Sequence, residues 1–469
     1  MSAPGGNHVR GAGTGPATGG AASVAAEGTT VVGTAHAGDP PRSFNVRQAA
    51  FMGVGAMVGA GIFALLGAAG EVAGAAVWIS FLIAGTIAGL QGYSFAKLGA
   101  RFPSAGGMLE YVARGFGDGH VVGVVAWLLL AANAIVTGMV AVSFGNYAST
   151  AVADGGSGWA KVFAVLVVLA MTVLNVVGSK AVAKAQTVIV IVVLSILTLF
   201  AVVTLANIDP SLLAFSGYPS VKDIVASVAL TFFAFLGFGV ITFTAKDLRD
   251  PARQLPRAMY LALAIATTIY VAVALGVFGT LTVHEVIESG GTALAVAAQP
   301  VLGDAGYWLM TVTALFATAG ATNSGLYPAA GLCEQMASTG QFPPALGRKL
   351  ADRAAAGVLV TAALAIVLAA GFDLTSIASI GSAIALIVFG LVSIGHLRIR
   401  GQTGARASVL VVAVATTLVV LVTFAVTTLP DEPGTAVALV VILVLSVALD
   451  VAWKRARASR ERALTTASG

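Results

Sequence analysis

Two pairs of glycines interrupt long apolar segments of this chain. Gly59 and Gly61 break the first segment, and Gly237 and Gly239 break the second. In hydrocarbon, an unwound backbone persists only where protein or a water-filled cavity satisfies its N–H and C=O groups. Matched breaks in two halves of one chain point to the binding site of a transporter. We therefore expect a small solute to bind between the two breaks.

The backbone at the two breaks is expected to offer opposite partial charges. A half-helix N-terminus favours a carboxylate, and at the first break we expect free N–H groups on Gly59, Ala60, Gly61 and Ile62. At the second break we expect carbonyl groups that accept from an ammonium group, on Phe235, Leu236 and Gly237. An α-amino acid carries both charged groups on one carbon atom, and glycine permits close backbone approach. The breaks therefore predict a clamp for a zwitterion that needs no charged side chain.

Polar side chains inside other apolar segments are candidates for lining this site. Asn133 and Thr137 are four residues apart and share one helix face. Ser379 and Ser382 have similar positions in a later segment. Each pair either lines the site or makes hydrogen bonds between helices, and the sequence leaves both alternatives open.

The composition indicates a protein that crosses a membrane many times. The 469 residues are 58% hydrophobic and 10% charged, whereas soluble proteins carry about 25% charged residues. The mean hydropathy is +0.95. A spanning helix needs about 20 apolar residues, and about twelve such runs occur, near 47–70, 75–98, 120–149, 158–178, 185–206, 223–245, 257–282, 303–335, 355–371, 374–396, 407–429 and 434–453. The connection 283–302 is long enough for an extra external helix.

The distribution of Lys and Arg predicts the orientation. With both termini in the cytoplasm, every basic residue except Lys161 and Lys222 falls on the cytoplasmic side. We therefore expect a multi-pass protein of the plasma membrane and attribute the net charge of +5 to topology, not to nucleic-acid binding. Cys333 is the single cysteine, which excludes an intramolecular disulfide.

The matched breaks predict an internal repeat. Five spans precede the second unit, so that unit enters the membrane from the opposite side. The expected divisions are a disordered cytoplasmic tail at 1–43, a first repeat at 44–206, a second repeat at 207–400, two added spans at 401–453 and a basic tail at 454–469. The added spans are candidates for homodimer contacts.

Four stretches resemble the amino acid–polyamine–organocation (APC) transporter family. They are 55–63 (GAMVGAGIF), 98–107 (LGARFPSAGG) followed by Tyr111, 232–238 (FFAFLGF) and 250–256 (DPARQLP). The resemblance covers most of the chain. It implies an all-α fold of the leucine-transporter type, with twelve spans, an inverted 5+5 repeat, discontinuous helices 1 and 6, and alternating access.

The resemblance also implies roles for individual residues. Phe233 matches an aromatic position that gates substrate in some relatives, with Phe238 close by; both are otherwise packing aromatics. The substrate-contacting set would be Val58, Gly59, Ala60, Gly61, Ile62, Phe233, Phe235, Leu236, Gly237, Phe238, Gly239, Asn133 and Thr137. Hydroxyls of the eighth span bind sodium in some relatives, which makes Thr322 and Ser324 candidates here.

The coupling ion stays open between H⁺ and Na⁺, and no organic cofactor is expected. Several relatives carry an acidic residue where this chain has Gly239, or a lysine within the fifth span, where 187–204 is uncharged. Glu334 is the nearest candidate proton carrier.

The mixed-charge loop around Asp247 is either a solvated segment or a gate.

The leading hypothesis is a secondary transporter, not an enzyme, for an amino acid. A neutral amino acid is preferred because no acidic side chain lies near either break. The alternatives are an amine or polyamine transporter, a substrate exchanger, a transporter-like sensor, a channel and a membrane enzyme. The sequence shows no metal-ligand spacing and no nucleophile motif, and its histidines occur in tails, loops or span ends.

Overall fold

A computed structural model describes residues 45–467, except 105, 154, 178 and 351–353. The predicted tail at 1–43 therefore lies outside the described residues. The described part is almost entirely helical, with one two-residue strand pair, β1 (Lys349–Leu350) and β2 (Ala354–Ala355).

The α-helices of the described part follow one another with short connections. They are α1 (Val46–Ala60), α2 (Ile62–Ala73), α3 (Val77–Arg101), α4 (Met108–Phe116), α5 (His120–Val152), α6 (Ser157–Val177), α7 (Ser179–Ala206), α8 (Val221–Phe233), α9 (Val240–Phe243), α10 (Pro251–Phe278), α11 (Val283–Ser289), α12 (Ala293–Ser338), α13 (Ala356–Gly371), α14 (Leu374–Thr403), α15 (Ala407–Asp431) and α16 (Pro433–Ala467).

Eight helical segments of the described part are long and apolar enough to cross a membrane. The bent pair Val221–Phe233 and Leu236–Phe243 raises this number to nine. The sequence predicts about twelve spans, and the difference has a physical source. A short 3₁₀ turn alone separates α2 from α3, so Ile62–Arg101 counts as one segment, and α13 is apolar but only 16 residues long.

Local signals in the sequence explain where several helices begin and end. Asn45 and Gln48 form a reciprocal capping box at the start of α1, with bonds of 2.9 and 3.0 Å. Pro251 occupies the first turn of α10, where its missing N–H costs nothing. Gly404 ends α14 in the left-handed region, with φ 65°.

Two of the predicted divisions fall inside helices. The division at 400 lies within α14, because the left-handed conformation at Gly404 stops this helix only after Thr403. The division at 453 lies within α16, which continues to Ala467 as one helix. The extra helix expected at 283–302 is present as α11, and Gly303 (φ 66°) kinks the long helix α12.

The helices differ sharply in how much protein surrounds them. In the most apolar 18-residue stretch of α14, 83% of the stretch is buried inside the protein, whereas the corresponding share is 22% in both α6 and α16. Helices α6, α15 and α16 expose rows of large apolar side chains such as Leu166, Val419 and Val444. In a bilayer these rows face lipid, while α14 packs against α3, α4, α5, α8 and α15.

Candidate functional site

The first break is a one-residue interruption between α1 and α2. Gly61 keeps right-handed dihedral angles (φ −91°, ψ −75°). Its N–H donates to the Met57 carbonyl at 2.9 Å, and its carbonyl accepts from the Leu65 N–H at 3.0 Å. The expectation of a free N–H at Gly61 is therefore wrong for this conformation, because helical hydrogen bonding continues across the break.

The second break is longer and bends the chain. Helix α8 ends at Phe233, a 3₁₀ segment occupies Leu236–Gly239, and the helices on either side meet at 42°. The tight hydrogen bonds of this segment include Phe238 N–H to the Phe235 carbonyl at 3.0 Å. The Ala234 carbonyl accepts from the Tyr270 hydroxyl at 3.0 Å. The predicted discontinuity is present here, and a side chain from α10 stabilises it.

The two breaks touch each other. A Cβ on Gly61 would lie 2.4 Å from the Ala234 Cβ and 2.8 Å from its Cα. A Cβ on Gly237 would lie 2.5 Å from the Met57 nitrogen and 2.6 Å from the Ala56 carbonyl carbon. Gly237 thus contacts Met57, and Ala234 contacts Gly61. Higher residue numbers in one segment lie against lower numbers in the other, so the two segments run antiparallel where they touch.

The space beside the first break is small in this conformation. A cavity of about 10 Å³ borders Val58 and Gly59, with Gln186 and Ala317 on its other sides. That volume holds about one water molecule. A solute can therefore bind between the breaks only when they move apart, and this structure shows them closed on one another.

Aromatic rings surround the second break on three sides. The Phe235 ring packs edge-on against Tyr270, with centroids 5.1 Å apart. The Phe238 ring contacts Phe95 at 5.5 Å and Phe389 at 5.3 Å. Phe233 is fully buried. In this closed state all three predicted aromatic residues pack between helices, and a gating role for Phe233 stays a prediction.

The Phe233 ring lies against α14 beside two hydroxyls that have no hydrogen-bond partner. A Cβ on Gly381 would lie 2.5 Å from this ring. Ser379 and Ser382 flank Gly381, both are fully buried, and neither hydroxyl is hydrogen bonded. A buried polar group without a partner costs roughly 1–3 kcal/mol, so a ligand that satisfied these hydroxyls would bind more tightly.

The candidates on α5 face α12. Thr137 is buried and donates to the Asn133 carbonyl at 2.7 Å. Its hydroxyl oxygen would lie 2.6 Å from a Cβ on Gly325, so the two helices are in close contact there. In this conformation Thr137 packs between helices, and its predicted contact with substrate is untested.

The two candidate sodium ligands lie on different sides of α12. Thr322 donates to the Thr318 carbonyl at 2.8 Å, and Ser324 donates to the Gly320 carbonyl at 3.0 Å. Side chains two positions apart on a helix do not face each other. Ser324 instead accepts from Gln186 of α7 at 3.3 Å. The two hydroxyls are therefore not arranged here as neighbouring ligands of one ion.

Three functional candidates were missed in the sequence analysis. Tyr270 holds the second break, Gln186 borders the first, and Asn175 donates to Asn323 at 2.7 Å between α6 and α12. Each is an isolated polar side chain in an apolar segment, which is the signal that could have found it. Such residues seldom occur in spans without a structural or functional partner.

The other charged candidates lie away from the breaks. Glu334 is about half exposed and pairs with Lys349 at 3.3 Å, which places it outside the buried core. Asp247 is partly buried, and burial raises the pKa of its carboxyl while Lys246 opposes that change.

This arrangement of buried central helices, exposed apolar outer helices and two crossed breaks defines a multi-pass membrane protein with a broken-helix site. Comparison with known sequences identifies the family: the sequence model described as "Amino acid permease" matches residues 44–449. The chain belongs to the amino acid permease family, and the resemblance to APC transporters is confirmed.

Several relatives of this chain are named as transport proteins. The chain is 32% identical over 375 residues to the inner membrane transport protein YbaT of Escherichia coli (strain K12), covering 80% of this chain and 87% of that protein. It is 28% identical over 399 residues to the vacuolar cationic amino acid transporter 2 of Arabidopsis thaliana, covering 78% and 61%. It is 26% identical over 254 residues to the methylthioribose transporter of Bacillus subtilis (strain 168), covering 51% and 55%.

Proposed function

We propose that this protein is a secondary transporter that carries an amino acid across the plasma membrane by alternating access, with both termini in the cytoplasm. It performs no chemical conversion. The observation that carries the proposal is the direct contact of the two breaks, Gly61 on Ala234 and Gly237 on Met57. A site built from two discontinuous segments opens to either side when one segment moves against the other.

The proposed architecture has twelve spans in an inverted 5+5 repeat followed by two added spans. Helices α1 and α2 form the first span, α8 and α9 the sixth, and the long helix α12 the eighth. The opposite crossing direction of the two breaks supports this assignment, because inverted repeats place corresponding segments antiparallel. Of the nine candidate segments, the bent one falls where the sixth span is proposed.

The proposed site binds the α-carboxylate and α-ammonium groups through the backbone of the two breaks. The Phe235 and Gly237 carbonyls each accept one N–H in the closed state, and a carbonyl oxygen has a second lone pair. On opening, the N–H groups near Gly61 face the carboxylate. Ser379 and Ser382, on either side of Gly381 in α14, are proposed to contact the substrate side chain.

We propose a neutral amino acid as substrate. The described side chains in contact at the breaks are uncharged: Met57, Ala234, Phe235 and Tyr270. A cationic amino acid is the second candidate, because one relative is named a cationic amino acid transporter. Transport of an amine without a carboxylate would contradict the clamp.

The test is counterflow in proteoliposomes that contain purified protein. Each of the standard amino acids is loaded inside in excess, and uptake of the same labelled compound is measured; putrescine is included as a diamine. The proposal predicts exchange of neutral amino acids and no exchange of putrescine. Absence of exchange for every amino acid, with protein that remains folded in detergent, would overturn it.

A further inference from the structure

A buried histidine of α14, His396, packs its ring against α3. Among the Asp, Glu, Lys, Arg and His side chains whose burial is described, only His396 and Asp450 are fully buried. Asp450 pairs with Lys454, which lies 2.9 Å from one carboxylate oxygen, and its other oxygen lies 2.5 Å from His120 Nδ1. His396 is bonded only to hydroxyls. The sequence had suggested a position at a span end, whereas the structure encloses this ring.

Both ring nitrogens of His396 contact a hydroxyl group. Nδ1 lies 2.8 Å from the Ser94 oxygen, and Nε2 lies 2.7 Å from the Thr403 oxygen. A hydroxyl can either donate or accept. The same three side chains can therefore hold both neutral tautomers and the imidazolium by rotating hydroxyl hydrogens alone, without moving a heavy atom.

Thr403 connects this ring to the outside. The Thr403 hydroxyl also lies 3.1 Å from the Arg400 carbonyl oxygen. When the hydroxyl oxygen accepts a hydrogen bond from the ring, its own hydrogen can therefore be donated to this carbonyl. Thr403 borders a cavity of about 330 Å³ at the ends of α3 and α14, together with Lys97, Arg101 and Tyr260. A space of that size and polarity admits water. This is the end that the distribution of Lys and Arg predicts to be cytoplasmic.

A second polar layer continues inward from His396. Ser393 donates to the Gln91 side-chain oxygen at 2.7 Å, and the Gln91 amide donates to Thr417 at 2.6 Å. Gln91 lies three positions before Ser94 on α3, and Ser393 lies three positions before His396 on α14. Each is therefore about one helical turn further in. One further turn inward on α14, Phe389 contacts Phe238 of the second break.

We propose that His396 relays the transported proton between the region of the second break and the cytoplasmic cavity. A proton arrives at Nδ1 from the Ser94 side, the ring becomes an imidazolium, and the proton on Nε2 leaves past Thr403 to water in the cavity. One proton enters, one leaves, and rotation of the two hydroxyls restores the starting tautomer. The inference deepens the proposed function and depends on it, because it supplies the coupling ion for that transport.

The charged groups on the elements packed against this part of α14 are mostly cations. They are Lys97 and Arg101 on α3, Glu110 and Arg114 on α4, Arg398 and Arg400 on α14 itself, Arg406 before α15, and the pair Asp450 and Lys454 on α16. Glu110 is occupied by Arg114 at 2.8 Å. The nearby cations disfavour the imidazolium, so the ring holds the extra proton only briefly and passes it on.

The experiment separates proton coupling from amino acid binding. Proteoliposomes containing a pH-sensitive dye receive the amino acid that exchanges fastest in the counterflow series, and both proton entry and amino acid accumulation under an imposed pH gradient are recorded. In His396→Gln the amide can still bond to both hydroxyls but cannot carry a proton. We expect proton entry and gradient-driven accumulation to fall by at least about tenfold, while counterflow at equal pH is retained.

The controls keep this inference falsifiable. His284→Gln alters an exposed histidine of α11 and should change neither measurement. Thr403→Val should slow proton entry while counterflow continues. Gradient-driven accumulation by His396→Gln at the wild-type rate would overturn the inference, as would the absence of proton entry with the wild-type protein. Absence of wild-type counterflow would instead overturn the proposed function.

Discussion

The two glycine breaks have the same spacing but different backbones. At the first, Gly61 alone leaves the helix, and hydrogen bonds continue across it. At the second, a 3₁₀ segment and a 42° bend separate the two helical parts. The Gly-X-Gly spacing therefore does not by itself determine how far a helix unwinds in the closed state.

The difference lies in what surrounds each break. Beside the first, Gly59 lets α1 rest on the backbone of α12, since a Cβ there would lie 2.2 Å from the Ala317 carbonyl oxygen. Beside the second, bulky aromatic rings point to several neighbouring helices, and the Tyr270 hydroxyl satisfies the Ala234 carbonyl. Glycine allows close contact at both breaks, whereas at the second break the Tyr270 hydroxyl also stabilises the bend, with a hydrogen bond of 3.0 Å to the Ala234 carbonyl.

The largest expected effect comes from filling the contact between the breaks. Gly237→Ala puts a methyl group within 2.6 Å of two backbone atoms of α1, which cannot move aside as a side chain could. Overpacking costs about 1–3 kcal/mol and sometimes more. We expect a large fall in thermal stability and loss of counterflow.

The matched control for this substitution is Gly89→Ala. Gly89 lies inside α3 and has nothing within 4 Å of its Cβ position, so alanine should stabilise the helix by up to about 1 kcal/mol. Normal transport and stability in Gly237→Ala would show that the breaks do not touch as described.

A smaller effect is expected when the hydrogen bond specific to the second break is removed. Tyr270→Phe leaves the Ala234 carbonyl without this donor, at a cost of about 1–3 kcal/mol. Thermal unfolding in detergent measures the change. Tyr260→Phe, which alters an exposed ring of the same helix, is the control and should be neutral. If the two substitutions changed the unfolding temperature equally, the Tyr270 hydrogen bond would not distinguish the second break from the first.

The smallest effect on stability is expected at the unpartnered hydroxyls next to Phe233. Ser379→Ala and Ser382→Ala remove buried groups that have no partner, so the ligand-free protein should keep or slightly gain stability. Amino acid affinity should fall if substrate meets these hydroxyls. Thr361→Val, at another buried hydroxyl without a partner, should leave affinity unchanged. Unchanged affinity in both serine variants would place the substrate side chain elsewhere.

Much of the helical organisation could be predicted from the sequence because apolar runs depend on local composition. The glycine pairs at 59–61 and 237–239 predicted breaks in two apolar segments, and the structure has an interruption at Gly61 and a 3₁₀ segment at Leu236–Gly239. The contact of Gly61 with Ala234 required the tertiary arrangement, as did the contacts of Tyr270 and Gln186 near the breaks. Helices α14 and α16 continue past the expected divisions at 400 and 453, because charged residues end an apolar run without ending a helix.

The enclosed position of His396 could not be predicted for a related reason. Its sequence neighbours Arg398 and Arg400 suggested the end of a span, yet Ser94 and Thr403 surround the ring on both sides. Burial depends on which helices pack together, and the spacing of apolar residues along one sequence does not predict those contacts.

The central claim is that the two breaks together hold the charged groups of an amino acid. The most direct measurement is titration calorimetry of the purified protein with the best-exchanging amino acid, its N-acetyl derivative and its amide. Hydrogen bonds to charged groups contribute about 1.5–3 kcal/mol each, so each derivative should bind about ten- to hundredfold more weakly. Equal affinity for the amino acid and either derivative would contradict the account.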